Sequence, residues 1–192
     1  MRSRTAAATA ALVTIIALLA GCMGGGGAIE TTFDEGAEDW TVAGDAQSGS
    51  AAPTHHAEGG NPGGYVSADD DTQGGVWYWN ASSAYLGERT AFYGGTLSFD
   101  LRQSTTSSQF QDADVMLESD GAGTLVHDFG DASKHPRENW TEYQVPLEPS
   151  AWRVGAEGDG GAANETVMRA VLGDLDRLWI RGEYVTGSDT GG

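Results

Sequence analysis

The sequence predicts an all-β domain built from two antiparallel sheets packed face to face. Glycine contributes 29 of the 192 residues, about twice its usual share, which suits tight turns. Short segments rich in Val, Thr, Trp and Tyr alternate with Gly, Asp, Asn and Pro, as strands alternate with turns. In several segments apolar and polar residues alternate, which is typical of strands that cover a core on one face only.

Residues 1–22 are predicted to be a secretion signal. Arg2 and Arg4 precede the apolar run 6–20, which is too short for an ordinary membrane-spanning helix. The run ends in Leu19-Ala20-Gly21-Cys22, a match to the prokaryotic lipobox, whose cysteine receives diacylglycerol. We therefore expect Cys22 to attach the protein to the lipid bilayer of the cell envelope, at the outer membrane or cell surface. An ordinary cleaved signal with a stray thiol is the alternative.

The remaining chain divides into a tether, residues 23–29, and a folded domain, residues 30–192. The tether begins Met-Gly-Gly-Gly-Gly, a composition typical of flexible linkers. Because Cys22 is the single cysteine, the domain has no disulfide, no thiolate metal cluster and no cysteine nucleophile.

The formal net charge of −18 excludes some partners. An acidic surface repels nucleic acid and anionic lipid head groups, so neither is expected as a ligand. A salty environment, bound divalent cations or simply a well-solvated surface would each account for this acidity.

Nine segments are predicted to be strands in the order in which they occur. They are "AIETTF" (28–33), "DWTVAG" (39–44), "GYVSA" (64–68), "GVWYWN" (75–80), "GTLSFDLR" (95–102), "ADVMLE" (113–118), "GTLVHDF" (123–129), "WTEYQVPL" (140–147) and "RLWIRGEYVT" (177–186). Between them, 46–63 and 155–163 are Gly-rich and polar, and are expected to be irregular.

The alternation assigns a core face to the clearest strands. Leu97, Phe99 and Leu101 should point inward, while Ser98, Asp100 and Arg102 should meet water. The same pattern sends Tyr143, Val145 and Leu147 inward, as well as Leu178, Ile180 and Tyr184. One short helix is expected in "ETVMRAVLGDL" (165–175), with Asn164 as its N-cap.

Nine pieces of this sequence, in order, resemble the laminin B family, also called laminin domain IV. They are Asp39-Trp40, Gly63-Gly64-Tyr65, Trp77-Tyr78-Trp79-Asn80-Ala81, Tyr85-Leu86-Gly87, Tyr93-Gly94-Gly95-Thr96-Leu97-Ser98-Phe99-Asp100-Leu101, Asp114-Val115-Met116-Leu117-Glu118, Val145-Pro146-Leu147, Trp152, and Leu172 to Tyr184. The resemblance spans nearly all of residues 30–187.

The resemblance implies a jelly-roll β-sandwich of the galactose-binding-like type, usually extracellular and without catalysis. It interprets the glycines of Tyr93-Gly94-Gly95 as a close backbone turn before the core strand. Ser82 replaces a proline usual in the family. Family members also often continue into a final strand of the type "LDNV-x-L", whereas this sequence ends "GSDTGG". An open edge, a rearranged N-terminal strand and a truncated reading frame are all compatible with that ending.

Calcium is the one cofactor that the resemblance suggests. In related jelly rolls the acidic residue of the turn Phe33-Asp34-Glu35-Gly36 binds a structural calcium ion, which makes Asp34 the candidate ligand. An exposed acidic turn is the alternative. The stretch 69–74, "DDDTQG", follows a calcium-loop spacing in part, but its twelfth position is Asn80 and lacks the closing carboxylate, so a polar turn is favoured.

Trp77 and Trp79 are the candidate ligand-binding residues, because flat aromatic rings stack on sugars. They share one face of their strand, and core packing is the alternative use of both rings. The four histidines show no metal-ligand spacing, and no nucleophile elbow or phosphate loop is present. We therefore predict a non-catalytic cell-surface module that binds an extracellular glycan or surface protein. A structural envelope lipoprotein without a dedicated ligand is the alternative.

Overall fold

The computed structural model describes residues 10–19, 27–44, 50–69 and 75–186, with the backbone alone for 10–19, 50 and 51. Within these ranges the chain forms thirteen strands and one α-helix. The strands make two antiparallel sheets, and the apolar core between them draws residues from both. The predicted all-β sandwich with one short helix is confirmed.

The six-stranded sheet has the spatial order β11, β8, β1, β6, β5, with β2 paired to another part of β1. Its strands are β1 (Ala10–Leu19), β2 (Ile29–Thr31), β5 (Thr54–His56), β6 (Tyr65–Asp69), β8 (Thr96–Gln103) and β11 (Thr141–Pro146).

The seven-stranded sheet has the order β12, β10, β9, β13, β7, β3, β4. Its strands are β3 (Thr41–Gly44), β4 (Ser50–Ala51), β7 (Trp77–Asn80), β9 (Val115–Ser119), β10 (Gly123–His127), β12 (Arg153–Val154) and β13 (Arg177–Arg181). All nine predicted segments contain a strand. The stretch 46–63, which we expected to be irregular, also contains β4 and β5, which pair with β3 and β6.

The alternation in β8 predicts its core face correctly. Leu97, Phe99 and Leu101 are fully buried, and the inward sets predicted for β11 and for the 178–184 segment are buried as well. The prediction is wrong at Asp100, which is only 8% exposed. A loop folds over the outer face of β8 there, and the Asn61 side-chain amide donates a hydrogen bond to the Asp100 carboxylate at 3.1 Å.

Helix α1 (Glu165–Gly173) forms where the sequence places it. The Asn164 side chain accepts a hydrogen bond from the Val167 amide at 3.0 Å, which caps the first turn. Met168, Val171 and Leu172 are buried, and the helix packs beside β9 and β10. One apolar stripe therefore holds the helix on the sandwich.

The segment predicted to be the apolar core of the secretion signal forms β1 in this unprocessed chain. It lies between β8 and β6 and joins β8 through eight residue pairs, from Ala11 opposite Gln103 to Leu19 opposite Thr96. Four further pairs join it to β6. The folded unit of the unprocessed chain thus includes residues that precede residue 30, while removal of the leader stays a prediction.

A glycine determines how closely β7 approaches the end of β13. Gly182 follows β13, and its amide donates a hydrogen bond to the Trp77 carbonyl at 3.0 Å. A Cβ atom added at Gly182 would stand 1.9 Å from Cζ3 of Trp77. Because Trp77 is 1% exposed, its ring has no free space into which to move.

We expect Gly182→Ala to lower the free energy of unfolding by on the order of 3 kcal/mol, because the new methyl group overpacks a rigid site. Gly173→Ala is the matched control, since its Cβ would meet only Cγ2 of Thr90 at an ordinary 3.7 Å. Equilibrium denaturation of both variants by guanidinium measures the difference. Equal stability of the two variants would contradict the tight packing at Trp77.

Candidate functional site

Four side chains with ring or guanidinium planes gather on the outer face of the six-stranded sheet. His56 ends β5, Tyr65 begins β6, Arg102 lies near the end of β8, and Trp140 directly precedes β11. Each is partly exposed, and Tyr65 and Arg102 alternate with buried residues of their strands. We call these four residues the aromatic–arginine patch.

The four planes contact one another in a chain. The His56 and Tyr65 rings stack with centroids 4.3 Å apart, and Tyr65 meets Trp140 edge-on at 5.6 Å. The Arg102 guanidinium lies 4.9 Å from the Trp140 ring centroid and 5.8 Å from that of Tyr65. Such contacts restrict the rotamers of all four side chains, so the surface is pre-organised.

A depression of about 360 Å³ adjoins the patch. Its lining adds hydroxyl and carboxylate groups from Ser67, Ser104 and Glu138 to the rings. The His56 Nε2 atom lies 2.9 Å from the Ser67 hydroxyl oxygen, which fixes the ring orientation. The site thus combines apolar ring area with hydrogen-bonding groups at its rim.

The loop between β5 and β6 supports the patch from one side. The Trp140 indole nitrogen donates a hydrogen bond to the Gly59 carbonyl at 3.0 Å. Two residues further along, Asn61 contacts Asp100, and burial raises the pKa of that carboxyl group. The hydrogen bond from its indole nitrogen therefore fixes one edge of the Trp140 ring, while part of the ring stays exposed to solvent.

The structure places the predicted ligand-binding residues elsewhere. Trp77 and Trp79 are 1% and 0% exposed, and their rings meet edge-to-face at 5.1 Å inside the core. Buried rings offer no surface on which a sugar can stack, so their position favours the core interpretation that the sequence left open. Sequence reasoning missed Tyr65 and Trp140, because a separation of seventy-five positions leaves no local signal of their contact.

Asp34 lies exposed in its turn, and its carboxylate accepts a hydrogen bond from the Thr32 hydroxyl at 2.8 Å. The neighbouring Phe33 carbonyl, a possible oxygen ligand, lies 2.6 Å from the His55 Nε2 atom instead. Among the residues described, no group of three or more His, Cys, Asp or Glu side chains could hold a metal ion. Calcium at Asp34 stays a prediction.

Two other predictions lie largely outside the described residues. Cys22, with its predicted lipidation, is one of them, and residues 70–74 of the acidic stretch are the other. No described helix is long and apolar enough to cross a membrane.

A larger hollow of about 570 Å³ lies beside β10 and β12 of the seven-stranded sheet. It is lined by carboxylates, among them Asp112, Asp128 and Glu157, and by Arg153. The Arg153 Nε atom already donates to the Gly158 carbonyl at 2.6 Å, and the one aromatic residue of the lining, Trp152, is 2% exposed. The hollow therefore lacks the open rings that make the patch a candidate site.

A buried ion pair stabilises the end of β13. The Arg181 guanidinium, with no exposed surface, lies 3.5 Å from the Asp114 carboxylate and also donates to the carbonyls of Phe110 at 2.9 Å and Glu183 at 2.6 Å. Burial raises the pKa of Asp114 to about 6, although the Phe129 amide and Arg181 oppose the rise.

His135 is buried in the same cluster, with its ring 5.1 Å from that of Tyr184. Burial, assisted by the Arg181 charge, lowers the pKa of the His135 imidazole. Neither ring nitrogen has a hydrogen-bond partner among the described residues. These features make the imidazole a neutral neighbour of Arg181 at physiological pH.

The chain is similar in sequence to one known protein family. The family model of Laminin B (Domain IV) matches residues 78–192, which is more than half of the chain. The predicted resemblance is confirmed over that range, whereas the pieces quoted from residues 39–77 precede it.

A basement membrane proteoglycan of Caenorhabditis elegans is 30% identical over 115 residues, which are 60% of this chain and 3% of that protein. The chain therefore corresponds to a small part of this relative. A solved structure, the L4b domain of human laminin alpha-2, superimposes with a TM-score of 0.49 at 14% identity, over 57% of this chain and 61% of that one.

We expect Asp114→Asn to change how stability depends on pH. A carboxyl group whose pKa rises from 3.8 to about 6 on folding holds its proton more tightly in the folded state. It therefore stabilises the protein most below pH 4, and this contribution declines by up to about 3 kcal/mol as pH rises through 6. His135, with a lowered pKa, acts in the opposite direction, so only the difference between variant and wild type isolates Asp114.

The measurement is the free energy of unfolding of both proteins from pH 4 to 7, with the exposed Glu148→Gln as a control for net charge. The stability of the wild type relative to the Asn variant should fall across this range. A difference that rises with pH would show that Arg181 outweighs burial at this carboxyl group.

Proposed function

This chain belongs to the Laminin B (Domain IV) family of extracellular, non-catalytic modules, and we propose that it binds carbohydrate through the aromatic–arginine patch. The observation that carries the proposal is the contact of two partly exposed rings, Tyr65 and Trp140, beneath one guanidinium. Tyr65 begins β6 and Trp140 directly precedes β11 of the same sheet.

Sugar rings present C–H groups on their flat faces and hydroxyl groups at their edges. The Trp140 ring would take the flat face, because stacking on an aromatic plane combines apolar contact with electrostatic attraction. Arg102, which lies over the Trp140 ring, and His56 and Glu138, which line the adjoining depression, supply donors and acceptors for the hydroxyl groups. Truncation of such an anchor in a binding surface typically costs 2 kcal/mol or more.

The charge of the chain selects among glycans. A formal net charge of −18 repels sulfated or uronate-rich polymers. Arg102 supplies the single cation of the patch, with Glu138 at the rim. The proposed ligand is therefore a neutral polysaccharide or glycan.

We further propose that the module acts at the cell envelope, attached by a diacylglycerol on Cys22. Support comes from the lipobox that ends in this cysteine and from the glycine-rich tether behind it. The tether would let the domain turn freely above the bilayer. A role as a structural envelope lipoprotein, without a ligand, is the alternative that the binding experiment decides.

Glycan binding is tested with the full chain carrying Cys22→Ser, made by cell-free synthesis so that the leader is retained. We expect saturable binding to one class of neutral glycan on an array that also carries sulfated glycans. Trp140→Ala should weaken that binding at least about tenfold, roughly 1.4 kcal/mol. Runs with calcium and with chelator test the calcium prediction separately.

Trp179→Ala is the matched control for this variant. Trp179 is also partly exposed and stacks with Tyr78 at 5.5 Å, but it lies in β13 of the opposite sheet. Near-ultraviolet circular dichroism verifies that both variants fold. Equal loss of binding in the two variants, or a folded protein that binds no glycan, would contradict the proposed site.

Lipidation is tested by Cys22→Ala in a bacterial host that processes lipoproteins. Wild type should partition into the detergent phase and carry the mass of a diacylglycerol adduct, whereas the variant should lack the adduct. Mass spectrometry of the N-terminal peptide is the measurement. A wild-type peptide with a free thiol on Cys22 would contradict the anchor.

A further inference from the structure

One short segment connects a buried histidine with the aromatic–arginine patch. His135 is 1% exposed and directly follows a single turn of 3₁₀-helix, Ala132–Lys134. Trp140, at the end of the segment, is partly exposed and directly precedes β11. We call residues 135–140 the latch segment. It begins in the interior of the sandwich and ends on the outer face of the six-stranded sheet.

Hydrogen bonds to its backbone hold the latch segment in place. The Arg137 carbonyl accepts a hydrogen bond from the amide of Gln103, the last residue of β8, at 2.8 Å. The Pro136 carbonyl accepts one from a side-chain amide of the loop before β9, also at 2.8 Å. A displacement of this segment would therefore also move the Trp140 ring of the patch and the Glu138 carboxylate of the adjoining depression.

The surroundings of His135 suit only the neutral imidazole. Its ring lies 5.1 Å from the Tyr184 ring, and the Arg181 guanidinium lies 4.4 Å from that same tyrosine ring. Among the described residues neither imidazole nitrogen has a hydrogen-bond partner. An imidazolium would place two N–H donors here, close to a fixed cation and without an acceptor from these residues, which is costly in a buried site.

Three further charged groups near the imidazole do not compensate for Arg181. Asp128, which follows β10, and Asp131 favour protonation of His135, whereas Arg137 opposes it. Both carboxylates are exposed, so water screens their charge. Each also accepts a hydrogen bond from a backbone amide two residues further along its own turn. Burial beside Arg181 therefore dominates, and the pKa of the imidazole is lowered.

The remaining titratable neighbours strengthen this preference in acid. Asp114 lies 3.5 Å from Arg181, and burial raises its pKa to about 6, so its carboxylate is neutralised below that pH. The guanidinium then lacks its counter-charge, which makes a second cation inside still less favourable. Tyr184 stays uncharged, because burial raises the pKa of its phenol well above the ordinary value. Acid thus favours an arrangement in which His135 lies in water.

We propose that the latch segment makes the patch sensitive to pH: protonation of His135 moves its ring out to solvent and displaces Glu138 and Trp140, so that the ligand is released in acid. The inference rests on the proposed role of the patch in glycan binding, although opening of the segment needs no ligand. In water the imidazole regains its ordinary pKa of about 6.5. Opening therefore becomes more favourable by up to about tenfold for each pH unit below that value.

Hydrogen exchange of the Gln103 amide measures the opening, because this amide loses its acceptor, the Arg137 carbonyl, when the segment leaves. The full chain with Cys22→Ser is measured from pH 7 to pH 5, with correction for the intrinsic exchange rate. Protection of Gln103 should fall at least about tenfold. Protection of the Leu147 amide, which donates to the Gly95 carbonyl at the opposite end of β8 and β11, should change little. Equal loss at both amides, or constant protection of Gln103, would overturn the proposal.

His135→Leu should abolish the acid response of the Gln103 amide, because leucine fills a similar volume and does not titrate. His127→Leu is the matched control. His127 also has a pKa lowered by burial, but it lies in β10 and its Nδ1 atom contacts the Ala151 carbonyl at 2.7 Å, outside the latch segment. This control should keep the acid response. An acid response that persists in His135→Leu would overturn the proposal, and the comparison of two amides in the wild type decides it if that variant does not fold.

Glycan affinity tests whether opening reaches the patch. The dissociation constant of a neutral glycan found on the array should rise at least about tenfold from pH 7 to pH 5 in the wild type, and should stay constant in His135→Leu. An equal rise in both proteins would assign the effect to His56 of the patch and overturn the proposal, as would opening of the segment at constant affinity. A protein that binds no glycan contradicts the proposed function, whereas hydrogen exchange still decides whether the latch segment opens.

Discussion

The fold depends on one buried guanidinium. Arg181 ends β13 in the seven-stranded sheet, and its hydrogen bonds fix the chain just after it, at Glu183, and the segment that precedes β9. Its plane lies 4.4 Å from the rings of Phe110 and Tyr184. The next residue, Gly182, accepts a hydrogen bond from Gln103 of β8 in the other sheet. Since a buried cation without these partners would be very costly, the two sheets meet in one arrangement at this end.

In this arrangement some aromatic residues lie in the core and others lie on the outer face of the six-stranded sheet. Trp77 and Trp79 fill the volume between the sheets, where only the glycine at 182 leaves room for the first ring. Tyr65 and Trp140 stay on the outer surface of the six-stranded sheet, held by a loop and by Arg102. Rings in the core stabilise the domain, whereas the partly exposed rings on the outer face leave surface on which the proposed ligand can stack. The proposed binding surface can therefore vary without loss of the core.

The same sheet connects the surface to the leader. β1 lies beneath the outer patch and above the core, and both of its neighbours contribute residues to the patch. β1 therefore sets the spacing of Tyr65 and Arg102 across the sheet.

The sequence by itself determined the strands, the helix and the family. Period-two alternation identified Leu97, Phe99 and Leu101 as core residues. The residue type of Asn164, directly before a helical segment, identified it as an N-cap. Both signals are local, since each lies within a few residues of the chain. Only the tertiary structure decided that Asp100 is covered, that Trp77 and Trp79 are internal and that Tyr65 meets Trp140. Each of these facts depends on segments distant in the chain, and alternation reports which face a residue takes but not what lies against that face.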